Sequence, residues 1–375
     1  MMANCLPKLL AMLTAIFVWR ADSCLSQPVD DAYGGKDKTL LPTKGWPCGM
    51  LEGIPVPERG VPVFVAAMKL DQVYDVGRTP YGQRKVYVVQ SGTVTGEKIN
   101  GSVMSGGLDF ELSFSNGTIE VEQVLVLKTG DGKYIYLRTA GTAADRSDVR
   151  MVPAFEVPSA SSLDWLNVGN YAGRREVNLA AGTMKLSVFD VSNIATAADR
   201  TNSVRVVKPA DMPDQPWDYR RAAAGEKRGN RLITEHVTLG ASQSVGATKN
   251  GGWNVIPITG GNLSGKITGR ILAGGADYQS LGNPMTLDAR YLWQTEDGDV
   301  IIVRNAGPVA SLVPTFEVRV DSKHARLNKG TYLSSSPAVG AGSVRLRAAR
   351  RTPRAERAAI MKWPPFILRN RVSCG

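Results

Sequence analysis

The chain alternates over short stretches instead of cycling with a helical period. Leu108, Phe110, Leu112 and Phe114 interleave with Asp109, Glu111, Ser113 and Ser115, which is the two-residue period of a strand with unlike faces. Residues 133–138 (KYIYLR) and 299–304 (DVIIVR) are rich in β-branched and aromatic side chains, and each follows an Asp-Gly pair, Asp131-Gly132 or Asp297-Gly298. These pairs are turn signals, so each run predicts a strand. Asn116-Gly117 predicts another hairpin turn, leading into a strand near residues 118–127. Strands recur at roughly 10–15-residue spacing with few helical stretches between them, the spacing of an antiparallel barrel or sandwich.

The pattern occurs twice. Residues 77–90 (GRTPYGQRKVYVVQ) align with 246–259 (GATKNGGWNVIPIT), and 100–111 (NGSVMSGGLDFE) with 268–279 (TGRILAGGADYQ). Further on, 128–141 (KTGDGKYIYLRTAG) align with 294–307 (QTEDGDVIIVRNAG), and VPAFEV at 152–157 with VPTFEV at 313–318. Trp165-Leu166-Asn167 is echoed by Arg326-Leu327-Asn328. Ordered blocks at a nearly constant offset mean a duplicated domain. The predicted fold is all-β, two tandem antiparallel β-barrels, with copy one at 58–195, a Pro-rich charged linker at 196–229 and copy two at 230–350.

Composition agrees with this organisation. The chain has 375 residues, 43% hydrophobic and 21% charged, with 39 Gly and 21 Pro. That is folded rather than disordered, and long enough for two domains that bury cores without disulfide staples. The net charge of +11 suggests a nucleic-acid partner until its distribution is read. From Arg345 onward nine Lys/Arg face the single acid Glu356, so about +8 of the +11 sits in the last 31 residues, which run into a basic C-terminal tail, 351–375. No aromatic platform is interleaved with that charge, so nucleic acid is not expected as a partner. The tail is read as a solvated extension or as a contact for an anionic surface.

The first 23 residues have the layout of a secretory signal peptide, with Lys8, an apolar run from Leu9 to Trp19, and small residues Ala21 and Ser23. A 24–57 extension would follow it. Secretion leaves Cys24, Cys48 and Cys374, of which Cys48 and Cys374 are the disulfide candidates, although the pairing is open. Sequons at Asn100, Asn116 and Asn262 are glycosylation candidates.

These blocks resemble the uncharacterised family catalogued as domain of unknown function 3237. In copy one the resemblance rests on Gly82 and Arg84, Gly106-Gly107 with Asp109 and Phe110, Asp131-Gly132, Phe155-Glu156, and Trp165-Leu166-Asn167. In copy two it rests on Gly251, Gly274-Gly275 with Asp277 and Tyr278, Asp297-Gly298, Phe316-Glu317, and Leu327-Asn328. The resemblance implies small β-barrels and brings no general activity with it. Copy two departs from the pattern with Trp253 for Arg84 and Arg326 for Trp165.

Chemistry is expected on the hairpins. With a turn centred on Gly282-Asn283, Asp277 falls opposite Asp288, with Arg290 diagonal to both and Gln279 on the same face. With a turn on Asn116-Gly117, Glu111 falls opposite Glu122 and beside Asp109, while Val124 stands where copy two has Arg290. Close carboxylates raise one another's pKa, as a general acid needs, and Arg84 or Lys85 is the nearest cation. Alternation alone makes the Leu108/Phe110/Leu112/Phe114 face the core and leaves the carboxylates in solvent. A barrel enclosing a ligand among mixed residues reverses that. The catalytic candidates are therefore Asp109, Glu111, Glu122 and Arg84, and the ligand-binding candidates are Asp277, Asp288, Arg290, Tyr278 and Trp253.

With 2 His in the chain, a His-rich metal centre is nearly excluded, and His236 and His324 read as surface or strand residues. No Walker, G-x-S-x-G or H-E-x-x-H pattern occurs. The paired glycines open no helix, so they read as bulge or turn residues and not as a phosphate loop. Phe155-Glu156 and Phe316-Glu317 are expected to pack one side chain and hydrogen-bond the other, with Asn167 and Asn328 serving likewise. The expected function is that of a secreted tandem barrel binding a small, partly apolar organic molecule. No cofactor or metal is expected, and any chemistry would be that of an isomerase, cyclase or lyase. The alternative is a non-catalytic secreted binding or structural protein.

Overall fold

The structure is a computed structural model that describes residues 53–144, 146–194 and 226–352. All of these lie in one compact unit, Asp37–Gly375. The signal-peptide candidate, all four cysteines, most of the linker and residues 353–375 lie outside the described residues.

Copy one is built from β1 (Val61–Thr79), β2 (Gly82–Thr95), β3 (Gly101–Val103), β4 (Leu108–Ser113), β5 (Ile119–Thr129), β6 (Tyr134–Ala143), β7 (Val149–Glu156), β8 (Tyr171–Asn178) and β9 (Thr183–Asp190). Neighbours pair antiparallel around the ring β1-β2-β4-β5-β6-β7-β8-β9 and back to β1, a closed eight-stranded barrel, with β3 inserted between β2 and β5. Closure removes the unpaired edges of an open sheet. The long β1 serves two neighbours and shifts register at Lys69/Leu70 and Asp75/Gly77, where bulges let it bend around the ring.

Copy two repeats the order with β10 (Lys227–Leu239), β11 (Gln243–Thr248), β12 (Gly251–Gly265), β13 (Gly269–Ile271), β14 (Ala276–Ser280), β15 (Thr286–Thr295), β16 (Val300–Pro308), β17 (Val313–Glu317), β18 (Tyr332–Ser334), β19 (Ala338–Gly340) and β20 (Ser343–Thr352). Here β10 and β11 divide the work of β1. The ends of the sheet, β17 and β18, meet through Ser334 N–H donating to the Leu312 carbonyl at 2.9 Å. Arg345, Arg347, Arg350 and Arg351 are not tail residues: they belong to β20, which pairs with β10. The basic stretch therefore starts inside the barrel wall.

The Asp-Gly turns form as expected, with Gly132 at φ 89° and Gly298 at φ 90°. The Asn116-Gly117 turn forms with one residue more. Phe114 N–H donates to the Thr118 carbonyl and Gly117 N–H to the Phe114 carbonyl, closing a three-residue loop with Gly117 at φ 85°. The ladder then pairs Glu111 with Val121 and Phe110 with Glu122. In copy two the loop centres on Asn283, so Asp277 pairs with Ala289 and Asp288 with Tyr278. Both expected registers are thus off by one residue, which moves Glu122 and Asp288 to the opposite face from Asp109 and Asp277.

Neither face of β4 is wet. Leu108, Asp109, Phe110, Glu111 and Leu112 are all buried. Asp109 and Glu111 point into barrel one, whose interior is lined by Tyr87, Val89, Val121, Leu125, Leu127 and Leu137 among others. Leu108 and Phe110 point outward and pack with Val76, Val86 and Val88 against Leu272, Leu292 and Ile302 of copy two. A second apolar patch joins Val124, Val126 and Tyr136 to Val245, Val255 and Tyr278. Alternation separates the two faces, but Leu108 and Phe110 of the apolar one form the contact between the copies and not the barrel core.

Backbone groups fasten that contact reciprocally. Ser159 N–H donates to Ala247 O and Val320 N–H to Arg78 O, both at 2.8 Å, and these are equivalent bonds with the copies exchanged. The paired glycines meet at the centre, where Gly275 N–H donates to Gly106 O at 2.7 Å. A Cβ on Gly275 would stand 2.0 Å from the Arg290 carbonyl oxygen, on a backbone at φ +81°. Gly275→Ala is expected to lower stability by about 2–3 kcal/mol in urea denaturation. Gly182→Ala, at φ +61° with open space around it, should cost about 1 kcal/mol, and equal losses would show that the central approach is not constraining.

Candidate functional site

Copy one encloses a salt-bridged cluster. Arg175 enters from β8, where Tyr171 and Val177 share its inward face. Its guanidinium donates to Asp109 through Nε at 2.9 Å and Nη2 at 2.7 Å, and to Glu111 Oε2 through Nη1 at 3.0 Å. Tyr87 donates its hydroxyl to Glu111 Oε2 at 3.1 Å and lies 5.1 Å beneath the guanidinium, a cation–π contact. Gln123 donates to Asp109 at 2.9 Å, and the exposed Arg146 reaches Glu111 Oε1 at 2.6 Å. Burial raises the Asp109 carboxyl, opposed by Arg175. Burial alone would lower Arg175, but Asp109 and Glu111 outweigh it and hold Arg175 above its ordinary value. Burial and Glu111 push the Tyr87 hydroxyl up to about 12. These carboxylates are already occupied by cations from their own barrel, so the cluster organises the interior.

Glu122 and Arg84, proposed with Asp109 and Glu111 as one site, lie on the outer face. Arg84 crosses to copy two and grips Glu317 with Nε and Nη2, each at 2.9 Å, joined by the Thr79 hydroxyl at 2.6 Å. Both charges are sealed from solvent. Glu122 accepts from Arg138 of its own copy at 2.5 Å and from Arg290 of the other at 2.6 Å. Arg290 also holds Asp288 at 2.8 Å, and Arg304 holds Asp288 at 2.7 Å. The chain Arg138, Glu122, Arg290, Asp288, Arg304 is a charged seam across the interface. Burial opposes ionisation of Glu122 and Asp288, but the arginines dominate and hold both carboxyls far below the usual range. Asp288 and Arg290 are therefore seam residues. Tyr278 and Trp253 lie there too, each against Tyr136, with Trp253 stacked at 4.8 Å. The Phe-Glu pairs behave as expected, since Phe155 and Phe316 pack inward and Glu317 is hydrogen-bonded. Asn328 brackets the Val318 backbone with two 2.8 Å bonds.

Copy two's interior is built differently. Asp277 faces inward, as its partner Ala289 does. Its Oδ2 accepts from Gln279 at 2.8 Å, Gln279 accepts from Asn254 at 2.9 Å, and Asn254 accepts from the exposed Ser242 at 2.6 Å. Its Oδ1 is buried with no hydrogen-bond partner. Glu235, 1% exposed, lies on the inward face of β10 between Ile233 and Val237 and accepts the Tyr291 hydroxyl at 2.5 Å. Burial lifts Glu235 from 4.5 to about 7 against the opposing pull of Tyr291 and Trp293, and lifts Asp277 from 3.8 to about 6 against Gln279. Among the described residues, no ion pair reaches either carboxylate. Arg175 and Glu235 went unnoticed in the sequence, although each interrupts an apolar alternation, Tyr171/Val177 and Ile233/Val237.

Elsewhere, the sequon asparagines 100, 116 and 262 are all exposed, as is His236. His324 is buried and lies 3.2 Å from Asp297, with Asp299 close by. Arg319 and Lys323 already bond those two carboxylates.

A duplicated small β-barrel with a polar interior in each copy is the class these features define. The chain belongs to the family described as Protein of unknown function (DUF3237), whose model matches residues 59–193 and 230–312. It is similar to a UPF0311 protein of Bradyrhizobium diazoefficiens, 37% identical over 78 residues, which is 20% of this chain and 51% of the relative. The chain thus spans about half the length of the curated relatives it matches. Among solved structures it is similar to a β-barrel-like protein from Acinetobacter baumannii, 21% identical with a TM-score of 0.32, covering 35% of this chain and 94% of the other. It is also similar to an enzyme from Penicillium herquei, 19% identical with a TM-score of 0.29, covering 36% and 96%.

Two outcomes follow from the contrast between the interiors. Arg175→Met should cost about 3–5 kcal/mol, because buried Asp109 loses its paired cation and Glu111 one of its two; a loss below 1 kcal/mol in denaturant melts would show the cluster is dispensable. Glu235 takes a proton more readily folded than unfolded, so its stabilisation is full below pH 4.5 and is lost as pH rises through about 7. Glu235→Gln should therefore match wild type near pH 4 and exceed it by about 3 kcal/mol at pH 8. Parallel stability curves from pH 4 to 8 would contradict the assignment.

Proposed function

We propose that the protein is a secreted binder of a small, partly apolar organic molecule and that the interior of copy two is its working chamber. Asp277 and Glu235 exchange protons with the bound molecule, in the manner of a cofactor-independent isomerase, cyclase or lyase. The observation that carries this reading is the pair of inward carboxylates, Asp277 and Glu235, in a barrel without the paired arginine that Arg175 supplies in copy one. With values near 6 and 7, Asp277 is mostly ionised and Glu235 half protonated at neutral pH. One carboxylate can take a proton from carbon while the other returns one elsewhere, and proton exchange with solvent then resets the two groups for the next turnover. The Gln279–Asn254–Ser242 chain holds Asp277 in place from the surface. Copy one then acts as a rigid partner that supports the shared wall.

Secretion rests on the signal-like first 23 residues, and N-terminal sequencing of exported protein should begin at Cys24. Catalysis is tested by a thermal-shift screen of the full chain against small organic molecules, followed by solvent-deuterium incorporation into the hits. Asp277→Asn and Glu235→Gln should each lower the incorporation rate at least 100-fold, with neither thermal midpoint falling more than a few degrees below wild type. Unchanged incorporation in both variants would leave the chamber without an acid–base role.

A further inference from the structure

Copy one shows what the shared interior does with a guanidinium. Asp109 receives two nitrogens of Arg175 in a fork, at 2.7 and 2.9 Å. In copy two Asp277 holds the equivalent place, opposite Ala289 as Asp109 is opposite Gln123. The repeat aligns Arg175 with Ser336, which is exposed and belongs to no strand. The cation is gone while the carboxylate remains, with Oδ1 buried and unpartnered. Copy two then adds a second carboxylate, Glu235, where the ladders place Ala66 of copy one: Ala66 pairs with Val94 and Leu186, and Glu235 with Leu263 and Leu346. Copy one sets two interior carboxylates against Arg175 and Arg146, whereas copy two sets two against no paired cation among the described residues.

A buried carboxylate without a counter-ion is among the costliest states in a protein, and its ionised form is stabilised by any cation that reaches it. A planar forked cation fits best, since it can give two parallel N–H bonds to one carboxylate, as Arg175 does to Asp109. Resting on the reading of copy two as the chamber, we infer that it takes a small organic cation, a guanidinium or amidinium on a partly apolar body. The forked N–H groups of that cation occupy on Asp277 the place that Arg175 occupies on Asp109. The apolar body lies toward Tyr291, which lines the same interior.

The test uses the full chain carrying 13C at tyrosine Cζ, with Tyr291→Phe identifying the Tyr291 signal and Tyr87 of copy one as internal reference. Benzamidinium and its neutral isostere benzamide are titrated separately at pH 7.5. Benzamidinium should shift Tyr291 and leave Tyr87 in place, binding at least tenfold more tightly than benzamide. Asp277→Asn should bring the two probes within twofold of each other, and the exposed-carboxylate control Asp131→Asn should leave their ratio unchanged. Benzamide binding at Tyr291 as tightly as benzamidinium overturns the cation inference while leaving copy two a small-molecule chamber. Absence of a shift with either probe also overturns it, and the acid–base role then stands or falls on the deuterium measurement alone. Should Asp277→Asn fail to fold, the ratio of the two probes in the wild-type chain decides.

Discussion

Everything in this molecule depends on one sheet face being covered by a second copy of the same sheet. Strand β4 and the middle of β5 are buried on both faces. Their inner residues line a barrel and their outer residues, Leu108, Phe110 and Val124, are buried by copy two. An ordinary half-wet strand carries its polar residues outward. Here the outer position is dry and apolar, so polar residues can be tolerated inside, where Asp109 and Glu111 find Arg175. Covering the outer face is what allows a charged interior.

The same contact explains the residues that mark the family. The Gly-Gly pairs bring two backbones together at the centre of the seam, and the Phe-Glu pairs divide their labour between core and partner. Phe316 packs inward while Glu317 receives Arg84 from the other copy. Trp253, standing where copy one has Arg84, stacks on Tyr136 instead. These motifs read most directly as joinery between barrels. The acid–base proposal rests on residues outside most of them, with Asp277 the one shared position.

The fold was legible because a duplication and Asp-Gly turns are local signals that survive in a single sequence. The site was legible only in part. Asp109, Glu111 and Asp277 were singled out, but Glu122 and Asp288 were joined to them on the wrong face because the loops span five residues, 281–285, in copy two and three, 115–117, in copy one, instead of two. Gly117 in the left-handed region makes that difference, and Asn-Gly alone does not distinguish the two turn lengths. The solvent assignment failed for a different reason: alternation tells two faces apart without saying which is wet. Arg175 and Glu235 were missed because a lone charge on an apolar face has meaning only once the strand's neighbours are known.

The seam also carries a lesson about covalent linkage. Glu122 and Asp288 are equivalent positions, as are Arg138 and Arg304, but the Arg290 that bridges them has Val124 as its counterpart. Two identical chains meeting about a two-fold axis could not have this arrangement. Any change that supplied one bridging arginine would supply a second, placing four guanidinium groups around two carboxylates. Joining the copies in one polypeptide lifts that restriction, so each half can mutate against a partner that does not change with it. The unequal interiors, one neutralised by its own arginine and one left acidic, are a divergence that a pair of identical chains cannot accumulate.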